Sequence, residues 1–288
     1  MLFRSLEHFR AESYFAEIAR HRPTYITAVP TQYSRLLGIK PPPGSLASLR
    51  FLRGGAAPLN AELHRKIEAH MGVPLVMSYG LSEATCTCTM NPPDARKIGT
   101  VGTALFGQRV AILAPGSEEL AARGSEGEIC IAGPSVMKGY VPAQAHDGDP
   151  GIGNGWLRTG DLGRLDSEGY LTVTGRLKDI IIRGGENLSP GRIEEALTAH
   201  PAVRACCVVG APDSDLGEVP VAYVVTHNGQ DVAEKDLKDQ VAARLPRSWV
   251  PARVRVIDAL PENRVGKIDR QALKRSEEHT SELQSHVR

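Results

Sequence analysis

Hydrophobic and polar positions follow two different patterns along the chain. Between residue 9 and about residue 77, helix-like spacing of apolar side chains alternates with short apolar runs bounded by Gly or Pro. This pattern predicts helices over 9–20, 31–37 and 60–71, and strands over 25–29, 49–53 and 73–77. Thr31 is the expected N-cap of the second helix. Alternation at these lengths predicts an α/β fold with a mostly parallel sheet.

After about residue 98 the pattern changes to short strands separated by Gly-rich turns. These strands are predicted over 110–113, 128–132 and 170–174, as in a β-barrel-like subdomain. Beyond residue 175 an α+β unit follows, with strands over 179–183, 205–209, 219–226 and 254–257 and helices over 189–198 and 232–245. We therefore expect a large domain over residues 1–177 and a small mobile domain over residues 178–274.

The segment over residues 275–288 does not continue the pattern before it. Its sequence resembles the read-through translation of a sequencing adapter, so we expect an artefact tail that does not belong to the fold. A polar helical tail is the alternative interpretation. The adapter interpretation also implies that the start of the chain is not natural.

Composition excludes several classes of protein. The 288 residues include 34 Lys or Arg and 33 Asp or Glu, so no strong field exists to hold nucleic acid or an anionic membrane. The five cysteines are few and odd in number, which argues against a secreted disulfide framework. Alternating Thr and Cys over residues 85–89 predicts a strand. No apolar run is long enough to span a bilayer, so we expect a cytoplasmic protein without a membrane span.

Polar, Gly-rich segments follow several predicted strands, where ligands of α/β folds often bind. Residues 53–58 let the backbone approach a flat ring or a phosphate, although a tight strand-to-helix turn is the favoured explanation of the glycines when the segment is taken alone. Residues 78–83 offer an aromatic face, a hydroxyl and a carboxylate. Glu83 could hold Mg²⁺, which prefers oxygen ligands. A capped helix start with a core tyrosine is the alternative.

Three later segments carry further candidate chemistry. Asp161 follows a small-residue turn and could accept both hydroxyls of a ribose, or form an Asx-turn. Residues 175–179 are a hinge or a solvated turn. Gly184 and Gly185 precede a helix that Ser189 is expected to cap. Lys267 follows a glycine on a polar loop that is not a Walker A loop, because Ile268 replaces the Ser or Thr.

Five of these segments occur in a fixed order: Gly54-Gly55-Ala56, Tyr79-Gly80-Leu81-Ser82-Glu83, Thr159-Gly160-Asp161, Gly175-Arg176-Leu177-Lys178-Asp179 and Gly266-Lys267-Ile268. Their order and spacing resemble the adenylate-forming enzyme superfamily, which includes acyl-CoA synthetases, peptide-synthetase adenylation domains and beetle luciferases. The resemblance covers residues 9–274. It implies the C-terminal part of a large adenylation domain followed by a small α+β domain.

The resemblance also implies a role for each candidate residue. The implied nucleotide-binding residues are Gly54, Gly55, Ala56, Tyr79, Gly80, Asp161 and Arg176. The implied catalytic residues are Lys267, Glu83 and Ser82, with Glu83 as the Mg²⁺ ligand. Lys178 is the implied hinge, and Gly184, Gly185 and Glu186 form the implied loop on the coenzyme A side.

The activity implied by the resemblance is that of an ATP-dependent acid–CoA ligase. A small carboxylic acid and ATP would give an acyl-adenylate and pyrophosphate, and coenzyme A would then give a thioester and AMP. Residues 184–187 look like the version of this loop in acyl- and aryl-CoA ligases, which favours free coenzyme A over a carrier-protein arm. Fatty or aromatic acid metabolism is the implied context. The alternatives are an adenylation domain that loads a carrier protein and a non-catalytic nucleotide-binding remnant.

One departure from the family pattern concerns the phosphates. The family has a Ser/Thr/Gly-rich loop ending in Pro-Lys-Gly upstream of the first matching segment, and this sequence has none. A catalytic histidine segment of the family is missing as well. We therefore expect a truncated chain that adenylates little or nothing by itself and is poorly soluble, because the β- and γ-phosphates lack their cradle and apolar sheet edges are exposed.

Overall fold

A computed structural model describes most of the chain. The described residues are 9–57, 59, 61–114, 117–140, 152–153, 155–227, 230–263 and 267–285, with side chains described for all except 152–153 and 278–285. The chain divides into two units. The first comprises Met1–Thr159 and Gly163–Val173, and the second comprises Gly160–Leu162 and Thr174–Arg288.

The predicted strand–helix alternation forms the first sheet and its helices. The helices are α1 (Ala11–His21), α2 (Pro30–Leu36) and α3 (Ala61–Met71), and the strands are β1 (Tyr25–Ala28), β2 (Phe51–Gly54), β3 (Leu75–Tyr79), β4 (Thr89–Met90) and β5 (Thr103–Ala104). Their order in the sheet is β1-β2-β3-β4-β5. The first three strands are parallel, and β4 and β5 pair antiparallel. The α/β fold is confirmed.

Apolar spacing in the helices builds the core of this sheet. Tyr14, Phe15 and Ile18 lie on one face of α1 and are buried. They belong to the same hydrophobic cluster as Leu52 of β2 and Ile67 of α3, both fully buried. The ends of β2 and β3 are thereby fixed in space.

The second sheet corresponds to the predicted β-rich part. Its strands are β6 (Arg109–Leu113), β7 (Gly127–Ala132), β8 (Ile152–Gly153), β9 (Trp156–Leu165) and β10 (Leu171–Arg176). The order is β10-β9-β7-β6, with β8 paired to β9. Strand β9 is not among the predicted elements. Asp161 lies within this ten-residue strand, so the Asx-turn alternative is wrong.

The second unit is an α+β fold around a third sheet. Its elements are β11 (Ile181–Arg183), β12 (Glu186–Leu188), α4 (Pro190–Thr198), β13 (Val203–Asp213), β14 (Gly217–Thr226), α5 (Glu234–Ala242), β15 (Arg253–Val256) and α6 (Arg270–Ser285). The strand order is β12-β11-β14-β13, and β15 pairs parallel with β14. One hydrophobic cluster joins this sheet to α4 and α5, and another includes Leu273 of α6.

Two local predictions are wrong for physical reasons. Helix α2 begins at Pro30 with Val29 as its N-cap, because proline needs no hydrogen bond to its nitrogen at the first helical position. The predicted strand over 85–89 is reduced to Thr89 at the start of β4, since Cys86 has a φ of 76°. Ser189 is the N-cap residue of α4, as predicted, although its hydroxyl donates to the Thr174 carbonyl at 3.0 Å and makes no capping hydrogen bond.

The segment expected to be an artefact continues α6 as far as Ser285. Glu277 is 1% exposed, and its carboxylate accepts hydrogen bonds from the Tyr223 hydroxyl at 2.5 Å and from Arg253 at 2.8 Å. This part of the tail therefore packs on the second unit. Its adapter origin stays a prediction. Within the described ranges, none of the helices combines the length and the apolar character that a bilayer crossing requires.

Candidate functional site

The turn after β2 depends on its two glycines. A Cβ on Gly54 would lie 2.5 Å from Met77 Sδ, and one on Gly55 would lie 3.0 Å from Ser78 Oγ. The Ser78 hydroxyl donates to the Gly54 carbonyl at 3.1 Å. Ala56 follows in the left-handed region with a φ of 66° and is exposed. The glycines are thus required by close packing against β3, and the turn presents its backbone at the end of β2.

The segment after β3 turns sharply back on itself. A Cβ on Gly80 would lie 1.8 Å from the Cys86 carbonyl oxygen, so only glycine fits here. Tyr79 is partly buried and packs against the hydrophobic cluster of the second sheet, together with Leu81. Ser82 is exposed at the start of the short helical turn Ser82–Ala84. The structure therefore places a partly buried tyrosine and an exposed serine at the end of β3.

Glu83 is held by a distant segment of the same unit. The Tyr140 hydroxyl donates to Glu83 Oε1 at 2.6 Å, and the Met137 N–H donates to the Glu83 carbonyl at 2.7 Å. The Thr85 hydroxyl donates to the Ser135 carbonyl at 2.7 Å. Tyr140 is a site residue that the sequence did not reveal. It lies 57 positions from Glu83, and no local pattern connects the two.

Glu83 is the residue that the sequence singles out as a Mg²⁺ ligand. Among the residues whose structure is described, there is no group of three or more His, Cys, Asp or Glu side chains that could hold a metal ion. Mg²⁺ is commonly bound by one or two carboxylates together with substrate phosphates and water.

Asp161 and Arg176 form an ion pair. Arg176 Nε at the end of β10 lies 2.8 Å from Asp161 Oδ1 on β9, and the Asp161 side chain is 10% exposed against 55% for Arg176. The guanidinium is planar and fixes the orientation of a carboxylate. Two residues with an expected nucleotide role are thus in direct contact.

The expected hinge and the Gly-Gly loop lie on neighbouring elements of the second unit. Lys178 is exposed in the single helical turn Leu177–Asp179. Gly184 and Gly185 have φ values of 55° and 84° and form the turn between β11 and β12. Both positions require the left-handed region, which glycine adopts without steric cost.

Glu186 is engaged by residues that the sequence did not point to. Its carboxylate accepts a hydrogen bond from Trp249 Nε1 at 2.8 Å. Hydrogen bonds from Ser248 and Trp249, together with the charge of Arg183, hold the pKa of Glu186 below its usual range. The guanidinium of Arg192 lies 4.8 Å from the centre of the Trp249 ring. Glu186 therefore fixes the Gly-Gly turn to the Trp249 segment.

Lys267 lies in a chain reversal before α6. The Lys267 N–H donates to Asn263 Oδ1 at 3.0 Å, and the Asn263 N–H donates to the Lys267 carbonyl at 2.8 Å. Glu262 and Ile268 form an antiparallel bridge around it. Gly266 lies outside the described residues. In the second unit, Lys178, Glu186 and Lys267 occupy separate elements from the Asp161–Arg176 pair.

Two family models match this chain in order. The model for "AMP-binding enzyme" matches residues 1–141, and the model for "AMP-binding enzyme C-terminal domain" matches residues 192–267.

Named relatives extend the comparison over nearly the whole chain. The sulfoacetate–CoA ligase of Cupriavidus necator is 37% identical over 91% of the chain and 51% of its own length. The 2-succinylbenzoate–CoA ligase of Bacillus subtilis is 38% identical over 93% of the chain and 54% of its own length. The crystal structure of ATP-bound MatB from Rhodopseudomonas palustris is similar with a TM-score of 0.87 and 33% identity, over 94% of this chain and 54% of that one. The chain spans about half the length of the curated relatives it matches.

Proposed function

Because the chain belongs to the AMP-binding enzyme family, we propose that it carries the C-terminal part of an ATP-dependent acid–CoA ligase. In the first step a carboxylate oxygen attacks the α-phosphorus of ATP, the bond to pyrophosphate breaks, and an acyl-adenylate forms. In the second step the coenzyme A thiolate attacks the acyl carbonyl, the bond to AMP breaks, and a thioester forms.

The observation that carries this proposal is the agreement between the two curated relatives. Both are named CoA ligases, and each aligns with more than nine-tenths of the chain. Their acids differ, since one name gives sulfoacetate and the other 2-succinylbenzoate. The proposal therefore extends to a small carboxylic acid and not to a particular one.

The nucleotide side of the proposal uses residues at strand ends. Asp161 accepts hydrogen bonds from the ribose hydroxyls, and Arg176 orients its carboxylate from 2.8 Å away. The exposed backbone at Ala56 borders the adenine, and Tyr79 stacks near it. A preset carboxylate loses less freedom on binding than a free one, which strengthens recognition of the sugar.

The phosphate side uses the turn that contains Ser82 and Glu83. Ser82 is exposed and its hydroxyl can donate to a phosphate oxygen. Glu83 keeps one oxygen on the Tyr140 hydroxyl, which fixes the carboxylate. Mg²⁺, when bound there with ATP, would offset the negative charge of the phosphates.

Lys267 supplies a positive charge for the adenylation step. Attack by a carboxylate on a phosphate brings two anions together, so a cation must offset their repulsion. Lys is suited to this because it carries a compact charge on a flexible stem. For the second step, Lys178 is the proposed hinge and the hairpin of Gly184, Gly185 and Glu186 is the proposed loop on the thiol side. One site then performs two reactions in sequence.

A fusion protein tests the proposal. The chain spans about half the length of its curated relatives, so the test supplies the other half. The chain is therefore joined behind the N-terminal half of the Bacillus subtilis 2-succinylbenzoate–CoA ligase. Acid-dependent exchange of pyrophosphate into ATP measures adenylation, and coenzyme A-dependent release of AMP measures the second step. Lys267→Ala should lower the exchange by about 100-fold or more, whereas the control Lys274→Ala should stay within about twofold.

Other outcomes would replace the proposal. AMP release with a phosphopantetheine-bearing carrier protein, but not with coenzyme A, would assign carrier loading instead. Nucleotide binding without pyrophosphate exchange, in a fusion that is folded, would assign a nucleotide-binding remnant.

A further inference from the structure

The backbone around Lys267 is fixed by two reciprocal hydrogen bonds. Asn263 donates to the Lys267 carbonyl at 2.8 Å through its own N–H and accepts the Lys267 N–H at 3.0 Å through its side chain. The Asp269 N–H donates to the Pro261 carbonyl at 2.8 Å. The chain reversal is therefore held together by its own hydrogen bonds. Its orientation depends on the contacts of the residue that follows it at the start of α6.

Arg270, the first residue of α6, makes these contacts. Its Nη1 donates to the Val208 carbonyl on β13 at 2.9 Å, and its Nη2 donates to Glu194 Oε2 on α4 at 2.8 Å. Glu194 Oε1 in turn accepts the Val208 N–H at 2.7 Å. One strand residue, one helix residue and the start of α6 thus form a closed ring of hydrogen bonds.

The burial of this ion pair makes it a rigid anchor. The Glu194 and Arg270 side chains are 17% and 29% exposed, so solvent screens their attraction less than that of a surface pair. A second ion pair on α6, between Lys274 and Glu218, is 42% and 26% exposed and has one contact at 3.1 Å. That pair offers a matched comparison on the same helix.

We infer that Glu194 and Arg270 are positioning residues for Lys267. The inference rests on the proposed function, because it assigns Lys267 to adenylation. Lys267 lies three residues before Arg270, and three residues of extended chain span at most about 10 Å. Loss of the anchor at Arg270 therefore frees the lysine backbone to move by several ångströms. A displacement of about 1 Å at a reacting group already lowers rates strongly.

Amide hydrogen exchange in the full chain tests the anchor without any activity. Glu194→Gln keeps an acceptor for the Val208 N–H but removes the charge, and Arg270→Lys keeps the charge but removes the fork of donors. We expect either variant to speed exchange at the Lys267 and Asp269 amides by about tenfold, with exchange in α5 unchanged. Lys274→Gln should leave both amides unaffected. Unchanged exchange in both anchor variants, or an equal rise throughout the second unit, would overturn the inference.

The two half-reactions of the fusion protein give the functional readout. Glu194→Gln should lower pyrophosphate exchange by about tenfold. Thioester formation from supplied acyl-adenylate should stay within about twofold, because Lys267 serves only the first step. An equal loss in both half-reactions would make the pair merely structural. If the fusion lacks both activities, the proposed function fails, while the exchange measurement still decides whether the pair anchors Lys267.

Discussion

Arg176 Nε lies 2.8 Å from Asp161 Oδ1, and the pair joins neighbouring strands of one sheet. The aspartate is nearly buried, whereas the arginine is more than half exposed. The planar guanidinium fixes the orientation of this carboxylate. This asymmetry supports a role for Asp161 in binding a diol and for Arg176 in orienting it.

Asp161→Asn should abolish the preference of the fusion protein for a nucleotide with ribose hydroxyls over one without them. A site built to bond a hydroxyl rejects the analogue without it, because its polar group is then unpaired. We expect the fusion protein to bind AMP about tenfold more tightly than 2′,3′-dideoxy-AMP, and the variant to bind both equally. Equilibrium dialysis measures both affinities.

A control for this experiment is Asp239→Asn on α5, where the carboxylate pairs with an exposed lysine. Its preference for AMP should match that of the unmodified protein. An Asp161→Asn protein that still prefers AMP to the same degree would remove Asp161 from the ribose site.

Gly80→Ala should destabilise the first unit strongly. The new Cβ would overlap the Cys86 carbonyl oxygen at 1.8 Å, and backbone on both sides must move. Overpacking against backbone costs about 3 kcal/mol or more. Urea unfolding followed by Trp156 fluorescence, in a protein with Trp249→Phe, measures this loss.

The matched control is Gly38→Ala, since nothing lies within 4 Å of a Cβ there. Gly38 should tolerate alanine with a change of less than about 0.5 kcal/mol. Equal midpoints for the two variants would show that the chain at Cys86 can move away without cost.

Acid should weaken the first unit through the buried His64. Burial lowers the pKa of His64 from its ordinary 6.5. The unfolded chain then binds the proton more readily than the folded chain, so the free energy of unfolding falls as the pH drops below about 6.5. His64→Gln should flatten this slope between about pH 6.5 and pH 5. Urea midpoints at several pH values measure it.

Glu68 adds to the same trend at lower pH. Although burial raises its pKa, the bond from Arg96 and the Leu75 N–H lower it overall, so stability is lost as the pH falls below the ordinary value of 4.5. The control His21→Gln, on the partly exposed end of α1, should leave the slope intact. A slope that His64→Gln does not change would mean that another group causes the loss.

Trp249 fluorescence should report the protonation of Glu186. The chain has two tryptophans, so Trp156→Phe isolates the signal of Trp249. Because the pKa of Glu186 is held below its usual range, we expect an acid transition with a midpoint below 4.5. Glu186→Gln should remove the transition, and Glu195→Gln on α4 should not. Persistence of the transition in Glu186→Gln would separate the indole from this carboxylate.

Local patterns determined the elements of the fold but not all of its details. Apolar periodicity is a property of neighbouring residues, so α1, α3, β2 and most strands of the second unit occur close to their predicted positions. Strand β9 escaped prediction because the Gly-rich segment before Asp161 gave the signal of a turn. The left-handed conformation of Cys86 was not visible either, since it is imposed by packing against Gly80.

The sequence by itself determined the family, because five short segments in a fixed order are a property of the chain alone. Only the tertiary structure decided which side chains hold the candidate residues. Tyr140 reaches Glu83 across 57 positions, and Arg270 reaches Glu194 across 76. Hydrogen bonds between such distant residues form only when packing brings the elements together, so no local pattern encodes them.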